Sequence, residues 1–236
     1  MVVCFIGVMA QLRAGDYQPF LNQPSGKVSP RVAIGRFFLD VQPVTQREFL
    51  AFVTAHREWR KASAKRIFAE ANYLKNWSRD LHPDAAPDTP VTFVSWFAAN
   101  AYCKAQGARL PTTDQWEYAA TEGGRANREV SARILEWYGK PTPDHLPPAT
   151  GAVNGLGVAS LVGVVWEWTL DFSSAMISDE PREGGDASSR FFCGGGGASA
   201  IDPADYASFM RYAFRSSLKP AYTIANLGFR CAKTDP

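Results

Sequence analysis

The sequence predicts an irregular α+β domain, single and low in regular secondary structure, and three observations lead there. At 236 residues with 46% hydrophobic side chains, the chain can bury one substantial core, and no repeat or long linker divides it. Its 19 Gly and 16 Pro imply many turns, while 7 Trp and 13% aromatics imply a core of large rings rather than the aliphatic stripes of a helical bundle. With 25 Lys and Arg against 23 Asp and Glu, net +2, and no uninterrupted basic run, the footprint of a nucleic-acid binder is missing. No stretch approaches the ~18 apolar residues of a membrane span.

The apolar run Val2 to Ala10 leaves two readings open. It is either a buried first strand or the remnant of an export signal, since Val8-Met9-Ala10 has small-residue cleavage character but no basic region precedes it. Residues 1–36 are therefore read as an amino-terminal extension and 37–236 as the main domain. Phe37 to Val41 is the first clear strand. Thr45 and Glu48 then have capping-box spacing, so a helix should start there, with Phe49, Leu50, Phe52 and Val53 recurring on its apolar face. Arg57 to Lys65 reads as solvated surface, and Pro83, Pro87 and Pro90 as extended loop. Ser95 opens a second helix, with Phe97, Ala101 and Tyr102 near one face and Gly107 placed to end it in the left-handed conformation. Thr112 and Gln115 repeat the capping-box spacing and start a third, carrying Trp116, Ala119 and Ala120. From Gly123 to Gly163 the chain is punctuated by Pro and Gly, and 178–190 is a polar loop, so the second half is expected to be ordered by tertiary contacts.

Several blocks then match one family in order: Pro43-Val44-Thr45 with Phe49; Pro90-Val91 with Val94-Ser95-Trp96 and Ala101-Tyr102-Cys103; Arg109-Leu110-Pro111-Thr112 with Trp116 to Ala120; Gly163 with Trp166-Glu167-Trp168; Arg215-Ser216; and Asn226 to Cys231. From about Phe37 to Lys233 the chain resembles the formylglycine-generating enzyme, or sulfatase-modifying factor, family. Its nearest look-alikes are the nitrite-reductase-associated members, judged by Gly163 to Trp168, Phe192-Cys193-Gly194 and Phe209 to Tyr212. The resemblance implies the family's variant of the C-type-lectin-like fold. Members of such a fold differ in activity, so function must be argued from the site.

The family's formylglycine-forming enzymes bind Cu(I) through two cysteine thiolates, soft ligands for a soft ion. Register places that pair at residues such as Ser199, Ile201 or Ala207, and the four cysteines here are Cys4, Cys103, Cys193 and Cys231. Formylglycine chemistry by the copper route is therefore not expected. Iron fares no better, because His56, His82 and His145 lack ligand spacing. Cys193, beside the glycines Gly194 to Gly197, is the one candidate catalytic group, as a metal ligand or redox thiol, against the commoner role of a lone buried cysteine.

The resemblance carries three further expectations. Cys103 and Cys231 match cysteines that family members bond, which also implies an extracytoplasmic, for example periplasmic, location; the alternative is a pair of reduced core thiols, which implies a cytoplasmic one. Calcium ligands carry over onto Ser160, Gly163, Val165 and Glu167, an oxygen set that suits a hard cation; Ser160 is the weak member, and the alternative leaves Glu167 hydrogen-bonded to loop N–H groups. Trp166, Arg211, Tyr212, Arg215 and Asn226 fall on or beside the family's groove, where arginine forks and rigid rings suit a peptide, a protein partner or a small anionic ligand. Arg215 and Arg230 have an alternative role as internal salt-bridge partners, which is the better reading for Arg230. The leading functional reading is a ligand-binding relative that assists maturation of an extracytoplasmic metalloenzyme. The alternatives are an oxidase or isomerase of a small molecule using Cys193 and the groove arginines, and a lectin-like ligand-display protein.

Overall fold

Four short strands open the chain, β1 (Met9–Leu12), β2 (Gly15–Tyr17), β3 (Val32–Ile34) and β4 (Phe37–Asp40), in a computed structural model that describes residues 7–19, 30–173, 211, 213–215 and 217–235. Helix α1 (Gln46–Ala55), strands β5 (Trp77–Arg79) and β6 (His82–Pro83), helices α2 (Trp96–Ala105), α3 (Thr113–Ala120) and α4 (Asn127–Tyr138), and strands β7 (Trp166–Glu167), β8 (Leu227–Gly228) and β9 (Ala232–Thr234) follow. Mixed helix and sheet is thus what the chain forms. β4 is the middle of a three-stranded antiparallel sheet, with β1 on one side and β9 on the other. Phe37 and Leu39, two residues apart and so on one face, are fully buried. Met9–Leu12 therefore joins the same sheet as the carboxy-terminal strand, within the span read from sequence as an extension.

Both expected capping boxes are present. The Thr45 hydroxyl accepts from the Glu48 N–H and Glu48 reaches back to the Thr45 N–H, with the same reciprocity between Thr112 and Gln115. Ser95 caps α2 through the Ala98 N–H, and that helix ends as expected, at Gly107 with φ +63°. There Ala108 N–H bonds the Cys103 carbonyl at 2.8 Å and Gly107 N–H the Lys104 carbonyl at 3.0 Å, the paired bonds of a Schellman motif. The buried face of α2 is Ala98, Ala99, Tyr102 and Cys103; Phe97 and Ala101 lie at its rim, half-buried. Helix α4 departs from the punctuated loop read there. It has no side-chain cap, the usual sequence mark of a start, and forms because Val130 and Ile134 on one face are fully buried.

Aromatic rings build the larger core cluster. Phe49 lies within 6.4 Å of the rings of Phe52, Trp77, Tyr102 and Phe229, in a mixture of edge and stacked contacts that each add to simple area burial. A second cluster gathers Tyr17, Phe37, Leu39, Trp116 and Leu161 beneath the sheet. Cys103 and Cys231 form a disulfide with Cα atoms 5.5 Å apart and 128 residues between them in sequence, fastening α2 to the residue before β9. Strands β7 and β8 pair in parallel, Trp166 opposite Leu227 and Glu167 opposite Gly228, which brings two of the distant sequence blocks side by side. A Cβ on Gly228 would stand 2.7 Å from the Val91 carbonyl oxygen, so only glycine fits that crossing.

Candidate functional site

Arg230 lies at the centre of this crossing and is completely buried. Its Nε and one terminal nitrogen donate to the two carboxylate oxygens of Glu167, each at 2.7 Å, a bidentate pair with neither side chain exposed. The same guanidinium donates to the carbonyls of Asp40, Val41 and Ala159 at 2.9–3.2 Å. One side chain therefore ties the end of β4, the loop before β7 and β7 itself together, which is the internal salt-bridge role expected of it. Glu167 also accepts the Trp116 indole N–H at 2.8 Å.

From Trp116 the polar contacts run on to the cleft. The Arg211 guanidinium sits 4.4 Å above the Trp116 ring and pairs with Glu117 at 2.7 Å, both side chains largely buried. Glu117 in turn accepts the Tyr17 hydroxyl at 3.2 Å, and Asp114 accepts it at 2.7 Å. Burial, then the Glu117 and Asp114 carboxylates, push the Tyr17 phenol far above its ordinary range, so it stays a neutral donor. Asp171 fixes the start of α3 by accepting the Thr113 N–H at 2.7 Å and its hydroxyl at 2.9 Å, which favours the helix N-terminus.

The cleft itself, about 30 Å³ and open to solvent, is walled by Trp166, Trp168, Phe172, Phe214 and Leu218, with Arg211 and Arg215 at its polar side. Trp166 is held between the rings of Trp137 and Tyr138 from α4, at 4.5 and 5.4 Å, and Phe214 at 5.4 Å. The backbone is helical at 211 and 213–215, which puts Arg211 and Arg215 on one face. Their roles divide. Arg211 is buried on Glu117, while Arg215 is half-buried at the cleft. Asn226 supports the floor through its backbone, its carbonyl accepting the Trp166 N–H at 2.7 Å.

Cys193, the glycines Gly194 to Gly197 and Tyr212 lie outside the described residues. Of the calcium set, Gly163 takes φ +100° and Ser160 φ +55°, and the Ser160 hydroxyl donates to the Ala149 carbonyl at 2.9 Å. With Glu167 already meeting Arg230 and Trp116, these four residues fit a calcium ion poorly: the carboxylate's charge is neutralised by a buried cation. Among the described residues no cluster of three His, Cys, Asp or Glu side chains is arranged to hold a metal. The sequence reading missed Trp137, Tyr138, Phe214 and the Glu117 partner of Arg211; the Trp137-Tyr138 pair was the available signal, hidden in a segment read as loop.

Comparison with known proteins places the chain. The sequence model of the sulfatase-modifying factor enzyme 1-like domain matches residues 9–235. The formylglycine-generating enzyme of Bos taurus is 29% identical over 282 residues, covering 92% of this chain and 71% of that protein. The inactive C-alpha-formylglycine-generating enzyme 2 of Bos taurus is also 29% identical, over 277 residues, covering 95% and 87%. Among solved structures, PvdO from Pseudomonas aeruginosa superposes with a TM-score of 0.53 at 15% identity, over 95% of this chain and 93% of that one, a likeness of fold.

Proposed function

The chain belongs to the sulfatase-modifying factor enzyme 1-like family, and from that premise we propose that it is a ligand-binding member without formylglycine-forming activity, assisting maturation of an extracytoplasmic metalloenzyme. One observation carries this reading: no cysteine stands between Gly194 and Arg230, so the thiolate pair that would hold copper has no counterpart. The residues do not fit that metal. Resemblance both to a relative named as a formylglycine-generating enzyme and to one named inactive is consistent with loss of chemistry on a retained, C-type-lectin-like fold.

What remains is a recognition site. Trp166 and Phe214 give rigid contact area, and Arg215 gives a planar donor fork at its edge, so the cleft suits a peptide side chain or small molecule carrying a carboxylate. Disulfide bonding of Cys103 to Cys231 supports the extracytoplasmic location, since the cytosol keeps thiols reduced. The test is an assay of a sulfatase-type cysteine peptide with copper and oxygen, in which no aldehyde should form above background. In parallel, short carboxylate-bearing peptides titrated against tryptophan fluorescence should bind, and Arg215→Ala should weaken binding about tenfold at unchanged melting temperature. Turnover of the cysteine peptide overturns the first half, and an Arg215→Ala protein that melts early shows that arginine to be structural.

A further inference from the structure

Away from the cleft, the chain presents its two consecutive exposed large hydrophobics, Ile67 at 73% and Phe68 at 38% exposure; the others among the described residues, Val8, Val153 and Leu170, stand singly. Lys65 and Arg66 immediately precede them, both exposed. Residues 57–70 carry five Lys and Arg against Glu58 and Glu70, net +3, in a chain whose whole net charge is +2. Charge and exposed apolar surface therefore coincide in one turn.

We propose that this turn, residues 65–68, with the aromatic row behind it, docks the protein on an anionic lipid bilayer. Backbone closure comes first. The Lys65 carbonyl accepts the N–H groups of Phe68 and Ala69 at 2.8 and 3.1 Å, so the tip enters an interface with those groups already bonded to one another. Its base is rigid. Arg60 donates to the carbonyls of Val53 and Thr54, Lys61 donates to that of Trp77, and the Tyr73 hydroxyl donates to that of Trp59 at 2.9 Å. Phe68 then packs against Phe97 at 5.3 Å and Trp59 at 6.2 Å, and Phe97 against Trp96 at 5.5 Å. Trp59, Trp96 and Phe97 are half-buried, and the Trp59 indole is an amphipathic ring of the kind that settles at headgroup level.

Arg60 and Lys61 hold the turn in place, which leaves Lys65 and Arg66 to face outward. The neighbouring acids are engaged elsewhere: Glu58 lies 3.6 Å from His56, Glu70 accepts the N–H and hydroxyl of Thr223, and Asp80 accepts the Ala62 N–H. A convex tip with an apolar apex and flanking cations fits a flat anionic surface; an acidic peptide would call for a groove to line its backbone.

The experiment is co-sedimentation of the full chain with vesicles of phosphatidylglycerol and phosphatidylcholine, against phosphatidylcholine alone. Binding is expected to the anionic vesicles only and to fall as salt is raised, since each surface cation contributes about fivefold to partitioning. Lys65→Glu with Arg66→Glu should reduce it at least about 25-fold, and Ile67→Asn about tenfold, whereas Val153→Asn, at an exposed hydrophobic outside the turn, should bind as the parent does. Ile67 and Lys65 are exposed, and matching thermal melts check that every variant is folded. No sedimentation with anionic vesicles overturns the proposal. So does equal binding by the Ile67 and Val153 variants, or capture by a soluble acidic polypeptide where vesicles fail.

Discussion

Between Thr45 and Ala120 three α-helices each begin at a side-chain cap; the apolar faces of α1 and α2 meet in the larger aromatic cluster, and that of α3 packs into the second, around Trp116 and Tyr118. Between Tyr138 and Trp166 the chain forms neither helix nor strand. Besides burying Val158 and Leu161 in the second cluster, it is held by single bonds to distant partners: Ala149 N–H to the Asp88 carbonyl, the Asn154 amide to the Ala119 carbonyl, Ala159 N–H to the Val41 carbonyl, and Arg230 to Ala159. The first region draws its order from local preference and area burial, both spread over many residues. The second concentrates its order in a few buried polar groups, each of which is hard to replace. Because β7 and Trp166 follow directly from the second region, the cleft inherits that dependence.

The largest effect that separates the two regions should come from Arg230. Arg230→Met leaves the Glu167 carboxylate buried with only the Trp116 N–H and removes three bonds to backbone carbonyls. A loss of about 3–5 kcal/mol is expected in denaturant unfolding, while Arg230→Met combined with Glu167→Met should recover part of it, because no uncompensated charge remains. An Arg230→Met protein as stable as the parent would erase the distinction. The next effect belongs to the disulfide, which closes 128 residues of sequence onto α2. Replacing Cys103 and Cys231 by serine should remove about 2–5 kcal/mol, read as a lower melting temperature that reductant no longer changes.

How much of this was legible in advance follows the same division. Thr45 with Glu48, Thr112 with Gln115 and Gly107 after α2 could be read directly, because caps and left-handed ends use a few residue types at fixed offsets. Helix α4 could not, since Ala126 offers no cap and only burial of Val130 and Ile134 distinguishes it from loop. At the site, Arg230 could be placed as an internal partner and Trp166 at the cleft through family likeness. The partner of Glu167 was misjudged, as side chains rather than loop N–H groups meet it. Contacts such as Arg211 with Glu117, 94 residues apart, leave no local pattern to read; they exist only once the fold has brought the two together.

The smallest effect tests whether the sheet region, too, contains a polar group that behaves like those of the loop. Asp40, at the end of β4, is 8% exposed and accepts the Cys231 N–H at 2.8 Å. Burial pushes its carboxyl up to about 7, against the lowering influence of the Cys231 N–H and Arg230 and with the help of Glu48 and Glu167. An acid whose folded pKa is raised binds its proton more tightly in the folded state, so it stabilises the fold below the folded pKa and loses that contribution as pH rises through it. Between pH 6 and 8 the parent should therefore lose about 1.4 kcal/mol at this one group. Asp40→Asn keeps an oxygen for the Cys231 N–H but carries no titrating proton, so its stability profile between pH 6 and 8 should be flatter than the parent's by that amount. Parallel profiles for the two proteins would mean that Asp40 is solvated in solution, and that buried polar control is confined to the loop before β7.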